Sequence, residues 1–565
     1  MPPLLQRILR ARGIHSPDRL IPGLAQLPSP SLLEGIDEAV TLLLAHRKGR
    51  VLVVGDFDAD GATSCALLMR ALPWLGFTHI DYLVPNRFEY GYGLTPEIVE
   101  LALQRRPDLI VTVDNGISSI EGVITAHEHG IPVLITDHHL PGAELPPADA
   151  IVNPNRPGCH FPGKSLAGVG VAFYLTLAVR AALRDLGEYE GGAREPRLAD
   201  LLDLVALGTV ADVVPLDDIN RTLVHEGLRR IRAGRACAGI LALLDVAGRE
   251  RTALVASDLG FAVAPRLNAA GRLEDMSRGI ECLLTDDPDT ARRAAAMLDD
   301  INRQRREIES RMKEQADEAL AQFLSKASGE LPAGLCLYDA DWHQGVVGIL
   351  ASRIKERFHR PVIVFADEGP DDSGARQLKG SARSVQGFHI RDALESIATA
   401  HPGLINRFGG HAMAAGLSLP ESRLEDFRRR FADCAARWLG DEAGQHCWVS
   451  DGALDGEAMT LETAMLLREA TPWGQAFPEP QFDGVFELRS HRIVGEKHLK
   501  MQLSVPKSDK VVEAIAFNAA LDDWPSGSVP AVQLVFRLDV NRFRGEARLQ
   551  LLVEALRPVT DIHQT

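Results

Sequence analysis

The stretch Gly55-Asp56-Phe57-Asp58-Ala59-Asp60-Gly61 decides the fold, because it places three aspartates at alternate positions directly after the apolar run Val51-Leu52-Val53-Val54. A short apolar run that stops at a Gly/Asp loop is typical of a buried strand that ends at a polar edge. Residues 62–72 then have helical length and spacing, and Pro73 follows as a stop signal. A strand, an acidic loop and a helix in this order predict the start of a parallel α/β sheet.

Strand and helix patterns continue to alternate beyond this stretch. Strands are expected at His79–Val84, Leu109–Val113 and Ile131–Thr136, because each segment is short and apolar. A helix is expected at Thr95–Gln104, which opens with a Thr-Pro pair that supplies a cap and a first-turn proline. Strands this apolar indicate burial on both faces, as in a parallel sheet covered by helices.

The chain has 565 residues, more than one hydrophobic core can organise, so several domains are expected. Residues 289–325 contain neither glycine nor proline, which predicts one long connecting helix over Ala291–Leu324. A second α/β unit follows, with strands expected at Gly334–Tyr338, Val362–Ala366 and around Lys379–Val385. We expect a helical lead-in, a first α/β domain, the connecting helix, a second and smaller α/β domain, and a barrel, at residues 1–48, 49–285, 286–330, 331–445 and 446–565.

From about residue 450 the sequence changes to short, partly alternating strand patterns separated by turns. Five such strands suggest a small barrel of the OB type; they are Phe486–Arg489, Leu499–Val505, Glu513–Phe517, Val532–Leu538 and Leu549–Val553. Residues 489–510 contain six lysines and arginines but only Glu496 and Asp509 as acids. A basic barrel suits a groove that follows a nucleic-acid strand. We expect deletion from about residue 450 to weaken strand binding and to leave the catalytic site active on very short oligonucleotides.

Composition narrows the class of protein. The net charge of −16 counts against a surface that binds nucleic acid everywhere, but it allows local basic grooves. The seven cysteines are scattered and form no C-x-x-C pair, so a disulfide framework and a zinc knuckle are not expected, and a reducing cytoplasm fits. No apolar run approaches the ~20 residues of a membrane span. The first residues, Met1–Ile14, do not read as a secretory signal.

Four acidic or histidine clusters each follow a predicted strand or strand-like turn. They are Asp56–Asp60, Asp114–Gly116, Asp137–His139 and Asp212. The carboxyl ends of parallel strands meet at one crevice, so clusters far apart in sequence are expected to lie together.

The chemistry of these clusters indicates a metal site. Six aspartates and two histidines offer oxygen donors and imidazole without thiolates, which suits Mg²⁺ or Mn²⁺, and the imidazole favours Mn²⁺. Asp114, from a neighbouring strand, could bridge two ions about 3.5–4 Å apart, and such a pair can act on a phosphoryl group. Asp56 or Asp137 alone would fit a loop or supporting role, but four clusters at one edge would repel one another without metal.

Four motifs resemble, in order, motifs I to IV of the DHH phosphoesterases, whose third motif gives the family its name: Gly55–Gly61, Val113–Gly116, Thr136–His139 and Gly208–Asp212. The resemblance implies that Asp58 and Asp114 hold one ion. It implies that a second ion is held by Asp60, Asp114, His138 and Asp212. It also places Asp56 beside the ions, and His139 against the scissile phosphate or the leaving oxygen. The expected catalytic residues are therefore Asp114, His139 and Asp56.

The resemblance extends over nearly the whole chain. Asp341–Ile349, Lys379–Ser384 and Phe408–Gly416 resemble the DHH-associated domain, and Ala264–Arg272 resembles the core of the single-strand-specific exonucleases in the family. The implied fold is a parallel-sheet DHH domain, a long connecting helix, a second, smaller α/β DHH-associated domain and a C-terminal OB-type β-barrel.

Arginines beside small residues are candidates for phosphate binding. Arg266 and Arg383 lie next to polar or small residues, where backbone amides and a guanidinium can hold phosphate together. Gly409-Gly410, ahead of a stretch of small residues read as a helix, suggests an anion site at a helix N-terminus. Taken singly, each could be a solvated charge or a plain turn, but the resemblance favours substrate contacts. The expected substrate-binding residues are Arg266, Asn268, His343, Ser381, Arg383, Gly409, Gly410, His411 and Arg87.

The resemblance implies a metal-dependent 5′→3′ exonuclease specific for single-stranded DNA. It would use two divalent ions, Mn²⁺ or Mg²⁺, and release nucleoside 5′-monophosphates in DNA repair and recombination. The expected partner is single-stranded DNA, with a single-strand-binding protein or a helicase as further candidates, and no membrane.

Two alternatives stay open. A small-substrate DHH phosphodiesterase would act on oligoribonucleotides, cyclic dinucleotides or pyrophosphate; the barrel and the chain length argue against it, because small substrates need no groove. A catalytically inactive DHH protein would serve as a DNA-binding scaffold, and the intact metal-binding residues argue against that.

Overall fold

The computed structural model describes residues 1–16, 19–85, 90, 93–190, 194–326, 331–371, 374–410, 412–440, 444, 447–495, 498–505, 508–517, 519, 524, 529–543 and 546–559. The chain forms two compact units. Unit 1 comprises Met1–Asn302 and Val449–Thr565, and unit 2 comprises Arg303–Trp448. Among the described residues, no helix has the length and apolar character needed to span a bilayer.

Unit 1 contains a five-stranded, fully parallel sheet with the order β2-β1-β3-β4-β5. The strands are β1 Arg50–Gly55, β2 His79–Leu83, β3 Leu109–Val113, β4 Val133–Thr136 and β5 Ala150–Val152. Alternate residues of β1 face two different cores, Val51 and Val53 on one side and Leu52 and Val54 on the other. This two-sided burial explains the continuous apolar runs and confirms the predicted parallel sheet.

Helices cover this sheet and continue past it. They are α1 Pro3–Ala11, α2 Ile36–Ala45, α3 Ala59–Trp74, α4 Pro96–Leu103, α5 Ile120–Glu128, α6 Gly168–Asp185, α7 Leu202–Ala211, α8 Asp218–Arg232, α9 Ala238–Val246, α10 Ala256–Asp258, a π-helix Leu259–Val263, α11 Ala264–Leu273, α12 Ser277–Leu284 and α13 Pro288–Lys326. The helix was predicted to end at Leu72, before Pro73, but it ends two residues later, at Trp74. Leu75 N–H donates to the Ala71 and Leu72 carbonyls, so the last turn keeps hydrogen bonds around the proline.

Unit 2 contains a mixed five-stranded sheet with the order β6-β7-β8-β10-β9. Its elements are β6 Leu335–Tyr338, α14 Val347–Phe358, β7 Val362–Pro370, β8 Arg376–Arg383, α15 Ile390–Ala400, β9 Arg407–Gly410, β10 Ala414–Pro420 and α16 Leu424–Leu439. The expected helix after Gly410 is wrong, because Ala414–Pro420 is a strand. It pairs antiparallel with both β8 and β9, and this pairing outweighs the helical preference of its small residues.

The C-terminal part of unit 1 is a closed five-stranded barrel, β11-β12-β13-β15-β14, as predicted. Its elements are α17 Leu461–Glu469, β11 Phe482–Val494, β12 His498–Ser504, β13 Val511–Ala516, β14 Ala531–Phe543 and β15 Glu546–Val559. Only β13 and β15 pair in parallel; the other pairs are antiparallel.

One hydrophobic core runs through unit 1 from the N-terminal helix to the barrel. It includes Leu9 of α1, Val53 of β1, Leu72 of α3 and Phe536 of β14, and also Phe477 in the segment before the barrel; all five are buried. The lead-in, the parallel-sheet domain and the barrel are therefore packed as one body, although long stretches of sequence separate them.

Candidate metal centre and phosphate site

The sheet register brings three of the predicted clusters together. Gly55 pairs with Val113, and Val113 pairs with Thr136, so the three strands end side by side. The next residues in the chain are Asp56, Asp114 and Asp137. Clusters separated by up to about eighty residues of sequence thus lie at one edge of the sheet, as parallel strands require.

The fourth cluster arrives differently from the expectation. Asp212 follows helix α7 and is its C-terminal cap, so the predicted strand-like turn is wrong at this position. Its Oδ2 nevertheless lies 3.5 Å from His138 Nε2, and the same nitrogen lies 3.1 Å from Asp114 Oδ1. Packing of a buried helix, and not the order of strands, brings this carboxylate to the edge of the sheet.

The described residues offer three overlapping groups of metal donors at this edge. In each group the donor atoms lie within 4.8 Å of one another, and the groups are Asp56, Asp58 and Asp114; Asp60, His138 and Asp212; and Asp114, His138 and His139. Asp114 belongs to two groups, and so does His138. Carboxylate oxygens, alone or with one or two imidazole nitrogens, fit Mn²⁺ or Mg²⁺. The first and third groups share Asp114, so its carboxylate is available to more than one candidate ion position.

The loop that carries the first motif is fixed by backbone amides. Asp58 caps helix α3, with its Oδ1 accepting from the N–H groups of Asp60 at 2.9 Å and Gly61 at 3.0 Å. Asp60 in turn accepts from the N–H of Gly168 at 2.6 Å and of Val169 at 3.0 Å, at the N-terminus of α6. The positive end of that helix thereby stabilises the buried carboxylate.

Gly168 is a site residue that sequence reasoning missed. A Cβ at this position would lie 2.6 Å from the Cβ of Asp114, so only glycine lets the first turn of α6 approach both Asp60 and Asp114. The available signal was the start of a helix with two glycines, Gly168 and Gly170, in a long buried segment. Nothing local connects that signal with the aspartates.

The backbone of Asp114 is held in a strained conformation. Its φ of +61° lies in the left-handed region, which a non-glycine residue adopts at a cost. The neighbouring Asn115 stabilises this turn, because its Nδ2 donates to the carbonyls of Val54 at 3.1 Å and Val113 at 2.9 Å. Thr112 Oγ1 also donates to the Asn115 carbonyl at 2.8 Å. The strain directs the Asp114 carboxylate to the cluster.

Burial and mutual repulsion raise the pKa values of four carboxyl groups in this cluster. Burial first, and then the charge of Asp58, raises the pKa of Asp56 to about 7 and that of Asp60 to about 7. Burial and the charge of Asp60 raise the pKa of Asp212 to about 9 and that of Asp114 well above its usual value. A bound divalent cation would compensate this concentration of negative charge, so the residues fit a metal centre.

Asp137 supports His139 and is saturated by hydrogen bonds. Its Oδ1 accepts from His139 Nδ1 at 2.8 Å and from the His138 N–H at 2.7 Å, and its Oδ2 accepts from the Ile117 N–H at 2.9 Å. Burial opposes ionisation, but the His139 hydrogen bond and charge bring the pKa of Asp137 below its usual value. The same pair raises the pKa of His139 despite burial. Asp137 therefore orients the imidazole with Nε2 turned away from it.

The structure revises the expected substrate contacts of Arg266 and Asn268. The Arg266 guanidinium is buried, with its Nη2 2.7 Å from Asp299 Oδ1 and its Nη1 donating to the Ala262 carbonyl. Asn268 Oδ1 accepts from the Ala59 N–H at 2.7 Å. Both residues lie on α11, which packs against the first motif, so the Arg266 guanidinium and the Asn268 carbonyl oxygen are engaged by protein groups.

In unit 2, Ser381 and Arg383 face the N-terminus of helix α14. Arg383 Nη1 donates to Ser381 Oγ at 3.2 Å and to the Ala382 carbonyl at 2.9 Å. A Cβ on Gly348, in the first turn of α14, would lie 3.2 Å from Ser381 Oγ and 3.3 Å from Arg383 Nη2. The helix therefore begins against the arginine, and sequence reasoning missed Gly348.

The environment of Arg383 has features that would suit an anion. Burial lowers the pKa of its guanidinium, and within the described part of unit 2 no carboxylate forms an ion pair with it. A partly desolvated cation beside the first amides of a twelve-residue helix fits a phosphate group. Gly410 lies close by, because Ala415 pairs with Gly410 and the adjacent Ala414 pairs with Arg383.

The remaining predicted residues are placed as follows. His343 is exposed just before α14, and its Nδ1 accepts from the Gly345 N–H at 3.1 Å. Gly409 is exposed at the end of β9. Arg87 and His411 lie outside the described residues.

The barrel is less basic than its local sequence indicates. Lys500 Nζ pairs across the sheet with Glu513 Oε2 at 2.8 Å, and Glu513 lies outside the stretch counted from the sequence. Arg489 Nε donates to Ser504 Oγ at 2.8 Å. The barrel does present aromatic surface, since Phe517 is half exposed and its ring lies 5.0 Å from that of His498. Lys497 and Lys507 lie outside the described residues.

Known proteins resemble the chain over almost its whole length. The sequence matches the DHH family, N-terminal domain, over residues 50–209, the DHHA1 domain over 331–437 and the RecJ OB domain over 450–555. It is 55% identical over 563 residues to the single-stranded-DNA-specific exonuclease RecJ of Dickeya dadantii strain 3937, covering 99% of this chain and 96% of that protein.

Solved structures agree in fold. RecJ of Thermus thermophilus in complex with Mn²⁺ superposes with a TM-score of 0.76 at 31% identity, covering 99% of this chain and 76% of that chain. The same protein in complex with Mg²⁺ gives a TM-score of 0.70 at 28% identity, covering 99% and 75%.

Proposed function

Because the chain belongs to the RecJ family of DHH exonucleases, we propose that it is a metal-dependent exonuclease that degrades single-stranded DNA. The observation that carries this proposal is the convergence of three donor groups on Asp114 and His138 at one edge of the parallel sheet. That edge is where α/β folds place their reactive groups.

The aspartates and histidines have separable roles in this proposal. Asp56, Asp58 and Asp114 would hold one divalent ion, and Asp60, Asp114, His138 and Asp212 would hold the other, because Asp114 Oδ1 also lies 3.1 Å from His138 Nε2. Two bound ions would activate a water and neutralise charge on the phosphoryl oxygens.

His139 is the residue proposed to contact the phosphodiester. Asp137 holds its Nδ1–H, so Nε2 is the atom that can donate to a phosphate or leaving oxygen. The raised pKa of His139 favours the protonated form that such donation needs.

The polarity that we propose is 5′→3′, with nucleoside 5′-monophosphates as products. An exonuclease that starts at a 5′ end must distinguish that end, and a terminal phosphate is its most distinctive group. Arg383, Ser381 and the first amides of α14 offer a desolvated anion site for it. Guanidinium holds phosphate well because it donates two parallel hydrogen bonds.

We further propose a cytoplasmic role in DNA repair and recombination. All seven cysteines are free thiols, which suits a reducing compartment. A single-strand-binding protein or a helicase is a fitting partner, because the substrate has to be unwound and kept single-stranded.

One assay tests the activity. End-labelled single-stranded DNA, double-stranded DNA and RNA are incubated with Mn²⁺, Mg²⁺ or EDTA, and the products are resolved by length. We expect mononucleotides from single-stranded DNA with either metal, none with EDTA, and far slower cleavage of the duplex. Equal cleavage of dinucleotides and long strands would favour the small-substrate phosphodiesterase instead.

A further inference from the structure

A column of four side chains connects the N-terminal helix, the segment before the barrel, and the helix that follows the metal centre, all within unit 1. The Arg12 guanidinium lies 5.6 Å from the centre of the Trp473 ring. That ring stacks on Phe477 at 5.1 Å with 13° between the planes, and the Arg221 guanidinium lies 4.3 Å from the Phe477 ring. We call this set the Arg12–Trp473–Phe477–Arg221 column. Both aromatic rings are buried.

The column ends on the short link between Asp212 and helix α8. Leu216, four residues after Asp212, donates its N–H to the Gln475 carbonyl at 2.8 Å, and its own carbonyl accepts from Arg221 Nη1 at 2.8 Å. Gly474 packs so closely that a Cβ there would lie 2.7 Å from Leu216 Cδ1. The segment at 473–477 thus holds the backbone of the link from one side.

Asn220 and Arg221, both on helix α8, make further contacts that hold the same link. Asn220 Nδ2 donates to the carbonyls of Pro215 at 2.9 Å and Ser165 at 2.7 Å. Arg221 Nε also donates to the Leu20 carbonyl at 3.3 Å. The link is therefore fixed at Pro215 and Leu216, two and three residues beyond its most unusual residue.

That residue is Val213, which has a φ of +61° although it is β-branched. Such a residue keeps a left-handed backbone only when its surroundings impose it. Val213 is itself 63% exposed, so its own side chain contributes little to holding the turn. The Val213 N–H donates to the Val210 carbonyl at 3.3 Å, which fixes the turn on the side of helix α7. On the other side the restraint comes through the chain from Pro215 and Leu216, and Asp212 shares the peptide bond that this turn orients.

We infer that Phe477 and Arg221 are positioning residues for Asp212, and that the segment before the barrel is part of the support of the metal centre. This inference rests on the proposed role of Asp212 as a metal donor. If the column is lost, the turn at Val213 relaxes and the Asp212 carboxylate leaves the donor group that it shares with Asp60 and His138. Mutation of a group that orients a metal ligand typically lowers the metal affinity, although that group does not contact the ion.

The experiment measures Mn²⁺ binding to the full-length protein. The variants are Phe477→Leu, which removes the ring under Arg221, and Gly474→Ala, which pushes against Leu216. The control is Phe536→Leu, another fully buried phenylalanine of the same core that lies in the barrel. Free Mn²⁺ is followed by its electron paramagnetic resonance during titration, at a temperature where circular dichroism shows every variant folded.

We expect Phe477→Leu and Gly474→Ala to weaken one Mn²⁺ site about tenfold and to leave the other site unchanged. Phe536→Leu should lower the Tm comparably and bind both ions as the unmodified protein does. Unchanged Mn²⁺ binding in the two test variants, or an equal loss in Phe536→Leu, would overturn the inference.

Asp212→Asn separates this inference from the proposed function. It should lose the same Mn²⁺ site that Phe477→Leu weakens. If Asp212→Asn binds both ions normally, the metal assignment itself fails, and the inference fails with it. If Asp212→Asn loses a site that Phe477→Leu retains at full affinity, only the positioning role is overturned.

Discussion

Asp114 is the residue on which both proposed ion positions depend. It lies at the end of the central strand β3, its backbone is strained, and its carboxylate is 2% exposed. It also belongs to two of the three donor groups. A carboxylate placed between two cation positions can serve both at once, which no other aspartate of the cluster does in these groups.

We predict that Asp114→Asn reduces hydrolysis by more than the about 10–100-fold that follows mutation of groups supporting a metal ligand. The protein should stay folded and should still bind single strands, because the amide has the same shape as the carboxylate. The measurement is turnover of labelled single-stranded DNA in Mn²⁺ and in Mg²⁺. Asp81→Asn, at the exposed pair with Arg105, is the control and should keep full activity. Near-normal turnover of Asp114→Asn would contradict the shared-ligand arrangement.

Arg383 is the residue that we propose to bind the 5′ end of the strand. Losing a charge-assisted hydrogen bond costs roughly 1.5–3 kcal/mol, so Arg383→Ala should lower activity on 5′-phosphorylated strands by about one to two decades. Strands with a 5′-hydroxyl should lose much less. Activity is measured on strands with each kind of 5′ end, for Arg383→Ala and for the control Arg353→Ala. Arg353 lies on α14 and already pairs with the carboxylates of Asp317 and Glu356. An equal loss on the two substrates would assign Arg383 to the internal backbone.

Helix α11 is the element that supports the first motif. Asn268 holds the Ala59 N–H, and Gly271 lies so close to the loop that a Cβ would stand 1.9 Å from the Phe57 carbonyl oxygen. The aspartates at 56, 58 and 60 are therefore placed by a helix more than two hundred residues away in the sequence. Displacing that helix should move the donors without altering any of them.

We predict that Gly271→Ala weakens Mn²⁺ binding about tenfold, because the helix has to move away from the loop. Isothermal titration of Mn²⁺ into the folded protein is the measurement. Gly23→Ala is the matched control, since its backbone φ of −72° suits alanine and nothing lies within 4 Å of the added Cβ. Affinity equal to that of the unmodified protein would show that the loop holds its shape without α11.

For the whole molecule, the shared core changes the expectation for a C-terminal deletion. The segment before the barrel contributes five buried apolar side chains to the core of unit 1: Leu454, Met459, Leu467, Trp473 and Phe477. Each large apolar side chain that becomes fully buried stabilises by about 1.5–3 kcal/mol. Together they approach the about 5–15 kcal/mol by which whole domains are stable. The idea that the barrel can be removed and leave an intact catalytic site is therefore revised.

We predict that a chain ending at Trp448 loses Mn²⁺ binding and exposes apolar surface. A chain ending at Pro480, which keeps the Trp473–Phe477 segment, should retain more of the metal affinity and mainly lose strand affinity. Dye binding to exposed apolar surface, Mn²⁺ titration and strand binding compare the two. Equal metal affinity in both shortened chains would show that the segment is not needed by the metal centre.

The metal-free molecule should become less stable as the pH rises. The folded-state pKa values of Asp56 and Asp60 are about 7 and that of Asp212 is about 9, against an ordinary 3.8. A raised carboxyl pKa means that the folded state holds its protons more tightly than the unfolded state. The contribution of these carboxyl groups to the free energy of unfolding is therefore most favourable below about pH 4, and it is progressively lost as the pH rises toward about 9.

We predict that the Tm measured by calorimetry in EDTA falls between about pH 5 and about pH 9, and that saturating Mn²⁺ removes most of the fall. Asp212→Asn should show a smaller fall, because it lacks one of these carboxyl groups. A Tm in EDTA that rises over this range would contradict the buried, repelling cluster.

The sequence by itself predicted the acidic and histidine clusters, four of the five strands of the parallel sheet and the C-terminal barrel, and it missed only the short strand Ala150–Val152 of that sheet. Apolar periodicity depends on local burial, and metal donors lie in short motifs at strand ends, so both can be read from consecutive residues. Asp58, Asp114 and His138 were placed from their motifs alone. Arg383 was predicted as a substrate contact because it lies beside small residues in a motif that resembles the family's, and that role stays a prediction.

Only the tertiary structure decided what surrounds these donors. It buried Arg266 against Asp299, brought the amide of Gly168 to Asp60, turned the residues after Gly410 into a strand, and bonded Leu216, in the link after Asp212, to Gln475. Each of these contacts joins two segments, and the local sequence of one segment carries no information about the other. Their energy comes from packing between elements distant in the chain, and no periodicity or motif of either partner encodes it.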